Sequence, residues 1–383
     1  MNRNLFLVAA SLFTWGLGEG FFIYFQPLYL QEWGADPVMI GTILGGVGIA
    51  LALAQTPTGL LSDKFSPKTL MLVSWFIGLI FAWVMTLARS LPVFVIGMLC
   101  YNLSGFGIIP MNVYCTNVRG KLSVQRALTF SSGLYNLGSV IGPIIGGKIA
   151  DSFGLRSVYL IASIIFFLSV GILFFIEDIK QAPHADMTVH PHQVSIFKNP
   201  RLLGFFGVLF ITLFLMYLPQ PLTPSFLQNQ QHFSRATIGL LGACGSFGNA
   251  LVQIALGSVS PYLGLLIGQF MVALFAGAFL MGGSAAWFGL SYAFVGGYRL
   301  FRSMILAFTR PLVHVGETGL IYGLLETIAM VSIVLAPMVS GLLYDQSPTL
   351  VYKVSFLSIL VMLALNVFIL KKIETVPAAV PEE

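Results

Sequence analysis

A chain of 383 residues with 57% hydrophobic and only 9% charged side chains lies far from soluble composition, in which about a quarter of residues are charged. Its formal net charge of +5 is scattered through apolar sequence, which excludes a nucleic-acid footprint and predicts a polytopic α-helical membrane protein. Cys100, Cys115 and Cys244 fall within or at the ends of apolar stretches, so they read as buried thiols and not as a disulfide framework.

Twelve apolar stretches are long enough to cross a bilayer, which takes roughly 20 residues each. They run over about 4–30, 38–61, 69–88, 91–114, 126–150, 155–176, 202–228, 236–258, 261–282, 285–308, 319–343 and 350–370. The first is too long for a cleavable signal peptide, carries Glu19, and has no small-residue cleavage site before a soluble domain. With both termini inside, twelve Lys and Arg face the cytoplasm and five the outside, the bias of the positive-inside rule. The polar segment 177–201 carries His184, His190 and His192 without any Cys, and Pro191 breaks its register. It reads as a solvated linker and not as a metal tract. The expected organisation is a six-helix bundle over 1–176, the cytoplasmic linker 177–201, a second six-helix bundle over 202–372 and a cytoplasmic tail over 373–383.

In the first stretch, "GLGEGFFIYFQPLYL" (Gly16 to Leu30) sets Glu19 between two glycines. Ser11, Trp15, Glu19, Phe22 and Gln26 recur at steps of three or four and so share one helical face. Tyr24 adds a further ring. An ionisable group inside a membrane helix costs about 2.5–3.5 kcal/mol on insertion scales, so such groups usually line a cavity. A carboxylate taken out of water favours its protonated form, so Glu19 is a candidate proton or cation carrier. The alternative is an ion pair with an arginine across the cavity.

Further candidates for a polar cavity follow in chain order: Gln55 in the second stretch, Tyr101 and Asn102 in the fourth, Tyr135 and Asn136 in the fifth, Tyr217 and Gln220 in the seventh, and Asn249 and Gln253 in the eighth. The tenth stretch contributes Tyr298, Arg299 and Arg302, and the eleventh Glu326, a second candidate for coupling. Arg302 and Glu326 sit at similar depth, so they can form a structural ion pair. Two arginines against one glutamate leave a positive charge for an anion or a second acid. The third, sixth, ninth and twelfth stretches have no charge in their interiors.

The halves resemble each other. "IGTILGGVGIALALAQTPTGLLSD" (Ile40 to Asp63) aligns with "IGLLGACGSFGNALVQIALGSVSP" (Ile238 to Pro261) at a fixed offset of 198 residues. "IGPIIGGKIAD" (Ile141 to Asp151) aligns with "LAPMVSGLLYD" (Leu335 to Asp345) at an offset four residues shorter. Internal duplication is a recurring architecture of secondary transporters, with the substrate site between the repeats.

Two motifs carry a family resemblance. "GLLSDKFSPK" resembles the loop motif Gly-x-x-x-Asp-Arg/Lys-x-Gly-Arg-Arg/Lys of the major facilitator superfamily, matching at Gly59, Asp63, Lys64 and Lys68 and departing at Ser66 and Pro67. "GSVIGPIIGG" resembles the fifth-helix pattern of its twelve-helix drug:proton antiporter branch, through Gly138, Gly142, Pro143, Gly146 and Gly147. Gly138, Gly142 and Gly146 lie on one helix face and permit close helix approach, and Pro143 permits a bend. The resemblance implies an all-α major facilitator fold of two pseudo-symmetric six-helix bundles. It also implies that Asp63 docks at the N-terminus of the eleventh helix, where the helix dipole favours an anion. The branch's fourth-helix Arg-x-x-Gln-Gly pattern is absent: Tyr101 and Ser104 stand in "YNLSGFG", so its usual proton relay is not implied.

No phosphate-cradling loop, metal-ligand spacing or nucleophilic triad accompanies these features, so neither an enzyme nor a cofactor is expected. The reading is a monomeric secondary transporter of the plasma (inner) membrane, with a small-molecule substrate, the lipid bilayer as its surroundings and no nucleic-acid partner. Proton-coupled export of a hydrophobic or amphipathic compound by alternating access leads, past walls that include Trp15, Phe22, Tyr24, Tyr217 and Tyr298. An organic-anion or metabolite carrier anchored by Arg299 and Arg302, or a lipid translocase of the same fold, stands beside it.

Overall fold

The computed structural model describes residues 2–55, 64–179, 200–310 and 318–374. The described residues form helices and short connections, with no strand among them. In chain order the helices are α1 (Arg3–Phe22), α2 (Gln26–Glu32), α3 (Pro37–Gln55), α4 (Pro67–Leu87), α5 (Leu91–Leu103), α6 (Ile108–Asn117), α7 (Val124–Phe153) and α8 (Leu155–Phe174). There follow α9 (Pro200–Tyr217), α10 (Thr223–Asn229), α11 (Arg235–Leu256), α12 (Pro261–Met281), α13 (Ala285–Ala293), α14 (Gly296–Thr309), α15 (Thr318–Gln346) and α16 (Leu350–Glu374).

Proline chemistry explains where apolar stretches change pitch. Pro27 cannot donate to the carbonyl of Ile23, and the chain tightens into a 3-10 turn over Ile23–Phe25 between α1 and α2. Pro110 has the same effect on Phe106, within the turn Ser104–Gly107 that joins α5 to α6. Among the described residues nine helical stretches are long and apolar enough to cross a membrane. The fifth predicted stretch is the 30-residue α7, long enough but more polar. The seventh holds the shorter α9, and the tenth breaks between Ala293 and Gly296 into α13 and α14.

By internal contacts the described residues form two compact units: those within 1–35, 46–187 and 227–243 in the first, and those within 36–45, 188–226 and 244–383 in the second. In the first unit, α1 packs along α7 and α8. The α1–α7 seam is built on glycine. A Cβ on Gly138 would meet Phe13 O at 2.3 Å, on Gly142 Leu17 O at 2.5 Å, and on Gly146 Phe21 O at 2.5 Å. Both helices step by four residues, so one register serves three crossings. On the α8 side the filling is aromatic. Trp15 stacks on Phe166 at 4.4 Å and meets Trp75 at 5.1 Å; Phe22 stacks on Tyr159 at 5.1 Å. The indole N–H of Trp75 donates to Ser11 Oγ and Ser169 Oγ, both at 3.1 Å, so this interior polarity is satisfied locally.

The second unit repeats the device with α12 against α14. A Cβ on Gly268 would meet Gly297 O at 2.6 Å, and one on Gly297 would meet Gly268 O at 2.4 Å. A buried amide knot ties α9, α12 and α16: Asn366 Nδ2 donates to Thr212 Oγ1 and to Gln269 Oε1, each at 3.0 Å.

The sequence repeat reappears as contacts. In the first unit Gly239 lies against Pro143 O (2.1 Å from an added Cβ) and Gly147 against Arg235 O (2.6 Å). In the second, Gly41 lies against Pro337 O (2.2 Å) and Gly341 against Pro37 O (2.5 Å). Gly41 and Gly239, Pro143 and Pro337, and Gly147 and Gly341 are aligned pairs of the two repeats, and Pro37 and Arg235 stand just before them at the same offset of 198 residues. Homologous positions thus make homologous helix crossings in each unit.

Candidate functional site

In the first unit the α1–α7 seam positions Glu19. Gly16 brings α1 onto the backbone of Tyr135 (an added Cβ would lie 2.2 Å from its carbonyl oxygen), and Gly20 admits Pro143 and Gly142. With the two helices this close, the Tyr135 hydroxyl donates to Glu19 Oε2 at 2.6 Å. That length is typical of a charge-assisted O–H to carboxylate bond. Glu19 is half-buried, and among the described residues it makes no ion pair. The partner observed for Glu19 within the first unit is a phenol.

The rest of the α1 face divides. Trp15 (8% exposed), Phe22 (1%) and Tyr101 (4%) are buried as packing rings inside the unit, and Gln26 is buried too. Asn102 turns back on its own helix, donating to Met98 O at 2.8 Å. Asn136 is exposed on α7. Gln55 ends α3, and its side chain lies outside the described part of the structure, as do Gly59 and Asp63 altogether. The expected docking of Asp63 therefore concerns residues outside those described. Lys64 is exposed, whereas Lys68 donates from Nζ to Ile176 O at 2.6 Å. A cation there satisfies a carbonyl just past the C-terminal end of α8.

In the second unit two charged side chains meet across two helices, with a tyrosine pair nearby. Arg302 of α14 forms an ion pair with Glu326 of α15. The rings of Tyr298 and Tyr217 (α9) lie 5.4 Å apart, and Tyr298 stands one turn from Arg302 on α14. Arg299 is exposed one turn away and has no partner among the described residues. Gln220 donates to Met216 O at 2.9 Å. Asn249 is half-buried, its Oδ1 without a hydrogen bond among the described residues, and Gln253 is exposed.

Sequence reasoning missed a clasp in the first unit. The carboxylate of Asp151, at the end of α7, accepts from the backbone N–H of Arg235 at 2.8 Å and of Ala236 at 2.9 Å, capping α11. The Arg235 guanidinium pairs with Glu32 and donates to Ala150 O at 3.2 Å, while Asn229 Nδ2 donates to Gln31 Oε1 at 3.1 Å. The one signal was the alignment of Asp151 with Asp345, which did not name a partner 84 residues away. A carboxylate on two free helix N–H groups stabilises by about 0.5–2 kcal/mol, whereas an exposed ion pair gives about 0–1 kcal/mol. Asp151→Ala is therefore expected to lower the thermal unfolding midpoint more than Glu32→Gln does. Equal shifts in differential scanning fluorimetry would mean that the cap contributes nothing beyond the pair.

Three comparisons bear on this architecture. The sequence profile of the Major Facilitator Superfamily matches residues 6–309. Among curated relatives, an uncharacterized MFS-type transporter of Methanocaldococcus jannaschii is 30% identical over 161 residues, 41% of this chain and 41% of that protein. Multidrug resistance protein MdtG of Proteus mirabilis is 30% identical over 211 residues, 53% of this chain and 52% of that protein. The chain thus spans about half the length of the curated relatives it matches. Among solved structures, a mutant of the nucleoside transporter NupG superposes with a TM-score of 0.82 at 14% identity, covering 97% of this chain and 99% of that one. A bacterial homolog of the human lysosomal transporter Spinster gives 0.69 at 15% identity, covering 97% and 94%. At those identities the likeness speaks for the fold alone. With a profile match over most of its length and helices that cross on repeated glycines in the same way in each unit, this multi-pass membrane chain belongs to the Major Facilitator Superfamily of transporters.

Proposed function

We propose that the chain is a proton-coupled exporter of hydrophobic or amphipathic small molecules, working by alternating access as a monomer in the inner (plasma) membrane with both termini cytoplasmic. The observation that carries the reading is the Glu19–Tyr135 hydrogen bond. It leaves a carboxylate inside a membrane helix held by a neutral phenol and by no cation among the described residues. An uncompensated charge there is costly, and binding a proton removes the cost. A group whose charge is relieved only by a proton suits coupling better than it suits a structural lock. The name of the MdtG relatives, multidrug resistance protein, supports export and a broad substrate class.

The test is direct. In vesicles holding the purified chain and a trapped pH dye, adding a lipophilic compound to the side it leaves from should move protons the opposite way, with a fixed ratio of proton to compound. Compound flux without proton movement, unaffected by collapse of the pH gradient, would reduce the reading to a facilitator.

A further inference from the structure

In the second unit α14 carries more polarity than its packing uses. Tyr298, Leu300, Phe301, Met304, Ile305 and Phe308 form its buried face. Arg299, Arg302 and Ser303 are spaced i, i+3 and i+4 and so lie together on the other side; Arg299 and Ser303 are exposed and Arg302 is half-buried. Counted back at 1.5 Å per residue, Arg299 stands about 15 Å from the Thr309 end of the membrane stretch. A guanidinium at that depth against lipid costs several kcal/mol, so a face of this kind is stable where water or a solute reaches it.

Donors outnumber acceptors on this face. Among the described residues Glu326 is the one carboxylate there, and it is taken by Arg302. Ser303 Oγ already donates to Leu300 O at 2.9 Å. On the buried side, the Tyr298 hydroxyl makes no hydrogen bond among the described residues. Arg299 has no acceptor among those residues. A guanidinium is a planar fork of donors without any acceptor, and its best complement is a planar or tetrahedral oxyanion. Tyr298, one turn from Arg302 at i and i+4, lies ring to ring with the half-buried Tyr217, which offers an aromatic surface for an apolar body.

We propose that this face of α14 is a binding site for organic anions, compounds with an aromatic or aliphatic body and one carboxylate or sulfonate. Arg299 takes the acid group. Arg302, tied to Glu326, holds the orientation of the face and adds field without being the primary ligand. The proposal rests on the reading of the chain as an exporter of amphipathic compounds and names the acidic members of that class as those the second unit selects.

The test uses the full chain in nanodiscs and two probes of the same body, naphthalene-1-sulfonate and naphthalene-1-sulfonamide, with Kd measured by equilibrium dialysis. The wild type should favour the sulfonate by about tenfold or more, the scale of a hydrogen bond to a charged group. Arg299→Gln should bring the ratio near one, and Arg299→Lys should restore part of it. The thermal midpoint of Arg299→Gln should stay at the wild-type value, because no partner is stranded. A wild-type ratio of one or below, a sulfonate preference that survives Arg299→Gln, or binding of neither probe overturns the proposal. Proton-coupled flux of neutral compounds without acid preference would leave the exporter reading standing and remove this one. An acid preference without proton coupling would do the reverse.

Discussion

Replacing Glu19 with Gln is expected to leave a folded protein that still binds compound but no longer moves it against a gradient when a pH difference is imposed. Gln keeps the volume of the protonated acid, and its amide oxygen can accept the Tyr135 hydroxyl as Glu19 Oε2 does. What disappears is the ability to gain and lose a proton. Loss of an obligatory proton-transfer group costs on the order of a hundredfold or more in rate, so pH-driven uptake into inverted vesicles should fall to background. The structural alternative predicts another pattern. If Glu19 served to neutralise a buried arginine, removing its charge would strand that cation and cost about 3–5 kcal/mol of stability. If the phenol seen within the first unit is its partner, the net change from weakening one hydrogen bond is about 1 kcal/mol. A thermal midpoint within a few degrees of wild type, together with lost pH-driven transport, is the expected pair of results. Retained pH-driven transport in Glu19→Gln would remove Glu19 as carrier. Tyr135→Phe separates holding from carrying: it should keep transport while moving its pH dependence, because the donor that stabilises the charged form is gone.

Local signals in the sequence reach far into this fold and then stop at partners. Apolar length located the helices, and Pro27 and Pro110 mark the pitch changes because a missing donor acts on its own chain. The spacing of Gly138, Gly142 and Gly146 foretells a close crossing, but not that α1 supplies Phe13, Leu17 and Phe21 to it. The stripe from Ser11 to Gln26 reads as one face. That face is about as wide as the boundary between two neighbours, so Trp15 and Phe22 go to the rings of α8 while Glu19 goes to α7. Arg302 and Glu326 can be paired by depth alone, since both lie a similar number of residues from one membrane face. Nothing comparable points to Asp151 and the start of α11. A cap of that kind depends on where two helix ends finish in space, and end positions follow from every crossing before them.

Those crossings can be tested at Gly142, where a large stability effect is expected. Its missing Cβ would lie 2.5 Å from Leu17 O, 2.8 Å from Gly20 Cα and 2.9 Å from Gly20 C. All three atoms are backbone, so no rotamer change makes room and α1 itself has to move. Overpacking a tight core commonly costs about 1–3 kcal/mol even where side chains can yield. Gly142→Ala should therefore lower the thermal midpoint measurably, and Gly142→Leu should leave little monodisperse protein after extraction. Gly133, on the same helix, is the internal control: nothing lies within 4 Å of its Cβ direction. Gly133→Ala should be neutral or slightly stabilising, since alanine is favoured over glycine in a helix by about 1 kcal/mol. If both alanine variants behave alike, the effect belongs to helix propensity and not to the seam. If only Gly142→Ala suffers, the seam carries it, and a functional consequence follows. Glu19 and Tyr135 sit on the two helices that the seam holds together. A displaced α1 lengthens their 2.6 Å contact, so the surviving fraction of Gly142→Ala should bind compound yet couple poorly to the proton gradient.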